Sequence, residues 1–364
     1  MDRIVWWIIV SCILLIGAAS SGPVKDRIRT GSDGKSFAFE PSGKPFVPRG
    51  FNYDRDFSGR LLEDYWEAEW ATVQQDFAEM KALGANVVRI HLQFGRFMET
   101  ASKPNRKALD RLERLVTHAE SLGLYLDITG LACYKKEHIP AWYDGLSEKD
   151  RWAAQAAFWA AVAKTCAGRP GVFCYDLINE PVAPSGRRKP GDWLTGELAG
   201  FYYVQFISLD QGDRLRTAVS REWLRTMTAA IRKHDKRSLI TVGLLPWKPG
   251  DDPESGFAPM TVAPEVDFLS VHIYPESAKM QESRDTLKAF HVGKPVLIEE
   301  TFPMHCSITE LRDFLRESDA HSAGWVGFYW GKTLEEYRKS DSLGDAIMVA
   351  WLEMFQQMVK PSGQ

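Results

Sequence analysis

A chain of 364 residues with 45% hydrophobic and 26% charged residues has a globular composition, and it is long enough to bury a full core without disulfide or metal staples. Its formal net charge of −3 excludes the strong positive field that recruits nucleic acid or anionic lipid, so a neutral partner is expected. The chain carries 13 Trp, and aromatic rings stack on the C–H faces of sugars; core packing also uses aromatics, so the count alone selects nothing.

In chain order, Met1-Asp2-Arg3 is followed by the uncharged stretch Ile4 to Ala19 and then by Ser20-Ser21-Gly22-Pro23. An apolar core followed by small residues is the pattern of an export signal, here residues 1–20, and it falls short of the roughly 20 residues of a membrane span. An uncleaved anchor is the alternative; a lipoprotein reading is disfavoured because Cys12 lies inside the apolar run. A secreted or cell-envelope protein, monomeric and without a membrane segment in the mature form, is expected. Residues 21–36 read as a flexible lead-in. Phe37 to Glu40, a Pro-Ser-Gly-Lys turn and Pro45-Phe46-Val47 read as a short hairpin that opens a catalytic domain of residues 37–360.

From Arg49 to Asn52 onward, strand-like and helix-like segments alternate. The strands are 49–52, 85–92, 124–128, 172–178, 239–245, 268–273, 296–298 and 325–329. Helical patterns fill 69–83, 107–122, 147–167, 215–234, 277–291, 309–318 and 344–358, with Ser147 as an N-cap and Gly84 as a stop. Runs such as Val87-Val88-Arg89-Ile90 suit strands buried on both faces. The fold class is therefore α/β, a single-domain (β/α)8 TIM barrel, whose functional residues collect at the C-terminal ends of the strands. The Pro- and Gly-rich stretch 182–196 reads as a long loop over that end.

Two strand ends carry carboxylates. The fourth strand ends Asn179-Glu180-Pro181, and the seventh ends Glu299-Glu300-Thr301. Strands four and seven face each other across a barrel, so two inward carboxyl groups can converge, as glycoside hydrolysis requires of its acid and its nucleophile or base. Alternation predicts that Glu299 and Glu300 point to opposite faces. Arg89 within an apolar strand needs a buried anion. His91 lies on its side of the strand, and His272 and Tyr274 share a face on strand six.

Asn179-Glu180-Pro181 at strand four, with a glutamate following Lys294-Pro295 at strand seven, resembles the clan A glycoside hydrolases, in particular glycoside hydrolase family 5. The similarity spans about Phe37 to Trp351. It implies a retaining, endo-acting β-glycosidase on a β-1,4-linked glucan or mannan, with no cofactor and a polysaccharide or oligosaccharide as partner. It further implies Glu180 as acid/base and Glu300 as nucleophile, with Glu299 as the neighbouring rival. The same similarity makes Asn179 the amide that binds the 2-hydroxyl, Arg89 the cation beside the nucleophile, His91, His272 and Tyr274 pocket residues, and Trp330 the floor under the reacting sugar. Glu180 is expected to titrate above the ordinary value of about 4.3 because Glu300 lies near it. One departure is that the family often has a histidine ending strand three, where this chain reads Asp127-Ile128-Thr129-Gly130.

Other signals are weaker. Asp54 to Gly59 resembles the start of a calcium loop but lacks the closing glutamate, so it reads as a solvated loop. No metal-ligand spacing occurs. Arg187-Arg188-Lys189 reads as a solvated cluster, and Trp142, Trp193 and Trp247 are either sugar platforms or packing. Cys133, Cys166, Cys174 and Cys306 read as buried thiols. Two alternatives stand beside the hydrolase, a non-catalytic carbohydrate-binding barrel and a transglycosylase.

Overall fold

Short apolar runs rich in Val, Ile and Leu favour strands that are covered on both faces, and eight such runs here close on one another. In the computed structural model, which describes residues 23–24, 26–247 and 254–359, these are β1 (Arg49–Tyr53), β2 (Val87–Gln93), β3 (Tyr125–Ala132), β4 (Val172–Asn179), β5 (Leu239–Leu244), β6 (Leu269–His272), β7 (Val296–Glu300) and β8 (Gly324–Phe328). They pair in parallel and in sequence order, and β8 returns to β1 through Trp325 to Phe328 against Arg49 to Asn52. The expected TIM barrel is the fold. The export signal read at residues 1–20 lies outside the described residues.

The outer layer is α1 (Trp70–Leu83), α2 (Arg106–Ser121), α3 (Glu148–Cys166), α4 (Arg216–Arg232), α5 (Pro259–Val262), α6 (Met280–Phe290), α7 (Ile308–Ser318) and α8 (Leu343–Val359). Ser147 caps α3 by accepting from the Asp150 amide, and Gly84 ends α1 at φ 106°, as their residue types require. The one-turn α5 between β5 and β6 has no counterpart in the sequence reading, because four residues carry no helical period. Among the described residues, no helix is long and apolar enough to cross a membrane.

Two segments read as irregular are built into sheets. Within the supposed lead-in, Arg27–Thr30 pairs antiparallel with Phe37–Glu40, which also pairs with Pro45–Phe46. The backbone of these four residues is ordered by that pairing, which polar composition concealed. Phe37 packs edge-on against Phe173 and Phe268 at 5.1 and 5.0 Å, so this sheet plugs the N-terminal end of the barrel. At the opposite end the expected long loop after β4 is a second small sheet. Phe201–Phe206 lies between Pro181–Val182 and Leu194–Leu198.

Candidate active site

Three strands slip by one residue near their C-terminal ends, and these slips shape the site. On β7, Ile298 pairs with Val271 of β6, but the next pair is Glu300 with His272, leaving Glu299 between them. Such a bulge breaks the two-residue alternation. Both Glu299 and Glu300 are therefore buried and both reach Arg89, at 3.6 and 2.6 Å. The expectation that the two point to opposite faces is corrected on this ground. The β4–β5 ladder slips likewise, with Thr241 opposite Asp176 and Gly243 opposite Asn179. A Cβ at Gly243 would stand 2.8 Å from His272 Nε2 and 2.9 Å from Glu299 Oε2, so this position must be glycine for the polar cluster to fit.

Arg89 is the hub. Its Nη1 donates to Glu300 Oε1 at 2.6 Å and to Asn52 Oδ1 at 2.8 Å, and its Nη2 donates to Asp176 Oδ2 at 2.7 Å and to Asn179 Oδ1 at 2.9 Å. A fully buried guanidinium is tolerable only when so many acceptors replace its water. Tyr274 donates its hydroxyl to the other oxygen of Glu300 at 2.5 Å. Glu300 thus has one oxygen on Arg89 and one on Tyr274, which fixes its carboxylate plane.

Glu180 follows β4 at φ 47°, a left-handed conformation that disfavours a side chain. It is held there by its amide, which donates to Gly243 O at 2.9 Å, and by its carbonyl, which accepts from the Gln205 amide at 3.3 Å. Strain at a functional position persists only when neighbours over-determine it in this way. Its Oε1 lies 2.9 Å from His272 Nδ1. One carboxyl oxygen of Glu180, one of Glu300 and a ring nitrogen of His272 all lie within 4.8 Å of one another.

The electrostatics separate the two glutamates' neighbourhoods. Burial raises the carboxyl of Glu180 above its ordinary range, the hydrogen bond from His272 pulls against the rise, and the charge of Glu300 adds to it. The direction matches the sequence expectation, but burial and not Glu300 is the leading cause. Burial also opposes charge on His272, yet Glu300, Glu180 and Glu299 together push it up to about 10, so it is an imidazolium at neutral pH. As an imidazolium it donates from Nδ1 to Glu180 and from Nε2 to Glu299 at 3.4 Å. Glu180 Oε1 is therefore occupied as an acceptor, and a proton on Glu180 belongs on Oε2. Glu299 is buried, which disfavours its charge, but Arg89 and His272 hold it below the ordinary range. Asp127, beneath them, is pushed well above that range by burial and by the Glu299 charge.

His91 behaves differently from His272. Burial and the Arg89 charge hold it well below the imidazole range, so it is neutral. Asn52 Nδ2 donates to two backbone carbonyls, which leaves Oδ1 as the acceptor for His91 Nε2 at 3.2 Å. Nδ1 then accepts from the Tyr134 hydroxyl at 2.6 Å. Trp330 donates Nε1 to Asp54 Oδ1 at 3.0 Å, and Arg55 lies 4.7 Å from its ring centre. All eight residues singled out in the sequence fall at the C-terminal end of the barrel. Arg89, Asn179, Glu300 and Tyr274 form one hydrogen-bonded group, and His272 with Glu180 joins it through the ion pair of His272 with Glu300 at 3.5 Å; His91 joins through Asn52, while Trp330 stands on Asp54.

Several residues of this site escaped the sequence reading. Asn52, Asp176, Tyr134 and Tyr203 carry no motif. Thr129, which stands in the altered strand-three end, donates to Asp176 at 2.7 Å. Asp54 and Asp56 were read as part of a solvated loop, yet they are 4% and 3% exposed. Asp56 is buried because its side chain accepts from Ser58 and Arg60 and closes the turn, and Asp54 because it faces Trp330. A carboxylate one residue past an apolar strand was the available signal. Of the three distal tryptophans, Trp193 is buried with Arg151 4.0 Å from its ring, and Trp142 packs against Phe94 and Tyr143. Trp247 remains 41% exposed. Arg187 and Arg188 pair with Asp210 and Asp192. The four cysteines are free, three of them buried.

Glu180, His272 and Glu300 would offer three donor atoms to a cation. Both oxygens of Glu300 already accept, however, and the adjoining guanidinium and imidazolium repel positive charge. The donor set suits hydrogen bonding better than metal binding.

Comparison with known proteins matches residues 39–333 to the family model described as Cellulase (glycosyl hydrolase family 5). The chain belongs to glycosyl hydrolase family 5. Mannan endo-1,4-beta-mannosidase 2 of Arabidopsis thaliana is 31% identical over 121 residues, which is 29% of this chain and 22% of that protein, so the chain matches about a fifth of its length. Among solved structures, an exo-beta-1,4-mannosidase from Opitutaceae bacterium strain TAV5 superposes with TM-score 0.62 at 20% identity, over 82% of this chain and 54% of that one. An endo-1,4-beta-mannanase from Rhizomucor miehei superposes with TM-score 0.61 at 17% identity, over 91% and 99%. These two share the barrel fold. The family that the model describes is one of glycosyl hydrolases.

Proposed function

We propose that this family 5 hydrolase is a retaining β-glycosidase acting on β-1,4-linked mannan or glucan, with Glu300 as nucleophile and Glu180 as general acid and base. The observation that carries the reading is the approach of the two carboxyl groups, whose nearest oxygens lie within 4.8 Å. Retaining enzymes hold the pair about 5–5.5 Å apart, whereas inverting enzymes leave about 6.5–9.5 Å for a water. The mannan side is favoured by the names of the relatives above.

The chemistry follows from the atoms. Glu300 bonds to the anomeric carbon as the glycosidic C–O bond breaks, and the leaving oxygen takes the proton from Glu180. Water then attacks the glycosyl ester, gives its proton back to Glu180, and frees Glu300. Arg89 and Tyr274 aim the attacking carboxylate, Asn179 is positioned for the 2-hydroxyl, and Trp330 supplies a floor for the ring. The same first step followed by a sugar acceptor would be transglycosylation; in this proposal water is the acceptor. Export through residues 1–20 and a monomeric state, without nucleic acid or membrane partners, belong to the same proposal.

Stereochemistry tests the mechanism. Proton NMR of the first-formed product should show the β-anomer before mutarotation, and an α-anomer appearing first would overturn it. The raised carboxyl of Glu180 sets a second expectation. Activity needs the protonated form, so the rate should fall as pH rises through that raised value. Glu180→Gln should lose about 10²–10⁴-fold on substrates with poor leaving groups and far less on activated aryl glycosides. Equal losses on both substrates would contradict the acid role.

A further inference from the structure

Three segments meet above the quadrant from β1 to β4. Leu61 from the β1 loop, Ala132 ending β3, Tyr134 just past it, and Phe201 from the strand after β4 form one buried apolar cluster, with Tyr203 packed on it. The Tyr202 amide donates to Tyr134 O at 2.9 Å. The Phe201 ring begins 3.5 Å from where a Cβ on Gly59 would stand, and Arg55 lies 5.5 Å from that ring. The strand Phe201–Phe206 therefore crosses the barrel mouth and is pinned to the β1 loop as well as to its own β4 side. Asp54 accepts from Trp330 at 3.0 Å and from the Tyr203 hydroxyl at 3.5 Å, so the barrier begins directly beside Trp330. Arg55 Nε is buried without a hydrogen-bond partner. That Nε lies 3.9 Å from Asp54 Oδ2, so Arg55 and Asp54 form a charged pair beside Trp330.

The mechanism orients the substrate against this barrier. Glu180 is held from β6 by His272; in the proposed orientation the leaving portion, protonated by Glu180, departs over β5 and β6, and the reacting sugar lies toward Trp330 and β1. Internal cleavage needs a second sugar site beyond the reacting one, where Asp54, Arg55, Phe201 and Tyr203 stand. We propose that the site accepts a single sugar on the Trp330 side and that the enzyme removes monosaccharides one at a time from the non-reducing end. Asp54 and Arg55 then read the free hydroxyls of the terminal sugar, a carboxylate accepting and a guanidinium donating. Each cycle consumes one water, releases one monosaccharide and exposes a new terminal hydroxyl. This inference rests on the β-glycosidase reading.

The test uses β-1,4-mannohexaose and cellohexaose tagged at the reducing end, alongside the same oligosaccharides blocked by O-methylation of the terminal non-reducing 4-hydroxyl. The expected first products are free monosaccharide and tagged pentasaccharide, and the blocked substrates should resist. Tagged di- and trisaccharides as first products, or equal cleavage of blocked substrates, would overturn the proposal while leaving the β-glycosidase reading intact. No cleavage of any β-glycan or aryl β-glycoside would instead remove that reading, and this one with it. Asp54→Asn, which keeps an acceptor for Trp330, should raise KM about tenfold with a smaller effect on kcat. An unchanged KM would remove Asp54 from terminal recognition.

Discussion

Glu300→Ala is expected to hydrolyse no β-glycan at a measurable rate, losing most of an enzymic acceleration that is at least about 10⁶-fold. Nothing else within reach of the anomeric carbon is held as Glu300 is, with one oxygen on Arg89 and the other on Tyr274. The truncation opens a space the size of a small anion on the attacking side. With an activated aryl β-glycoside, added azide should enter that space and give the α-glycosyl azide, one inversion in place of two. Glu299 is the control, because it lies next in sequence and is equally buried. Its oxygens are turned to Ser270 at 3.0 Å and His272 at 3.4 Å. Azide rescue of Glu299→Ala, with none for Glu300→Ala, would move the nucleophile by one position.

The second large effect is on stability. Arg89→Met removes the one cation that Glu300, Glu299 and Asp176 share. Methionine roughly fills the volume but carries no charge and donates no hydrogen bond, so Glu300, Glu299 and Asp176 are left to partners such as Tyr274, His272 and Thr129, a loss of about 3–5 kcal/mol. Urea unfolding should show a midpoint lowered to match, and activity should vanish with it. A midpoint equal to that of the wild type would mean that other charges in the cluster, His272 foremost, compensate for Arg89. That outcome would contradict the role of Arg89 as the counter-ion of the cluster.

The same cluster separates what was legible in the sequence from what was not. Arg89 declared itself because a guanidinium inside Val87-Val88-Arg89-Ile90 has no water to satisfy it and must find an anion. Its principal partners Glu300 and Asp176 come from β7 and β4, and no local signal ties those strands to β2. Glu299 was placed on the wrong face because alternation is a rule for unbroken ladders. The slip between Val271 and His272 is a property of how β6 and β7 pair, and neither strand's residues announce it. The sequence suggests a solvated carboxylate at Asp54, because Asp54, Arg55 and Asp56 follow one another directly. Its burial comes from Trp330, which is brought beside it only when β8 pairs with β1.

The barrel itself was decided locally. Each strand is a short apolar run, four helices carry a cap or stop of their own at Gly84, Asn105, Ser147 and Ser307, and the alternation of strands and helices leaves few ways to cover both faces of a parallel sheet. The two glutamates that end β4 and β7 follow from the same local reading, since strand ends are where polar residues can stand on a covered sheet. Tertiary structure decided the rest. It turned the stretch after β4 from an expected loop into a strand across the barrel mouth, because Phe201 finds its apolar partners Leu61, Ala132 and Tyr134 only after β1 and β3 are in place. It also set which carboxyl groups are pushed toward protonation and which are held charged, since charge state depends on burial and on neighbours drawn from distant strands.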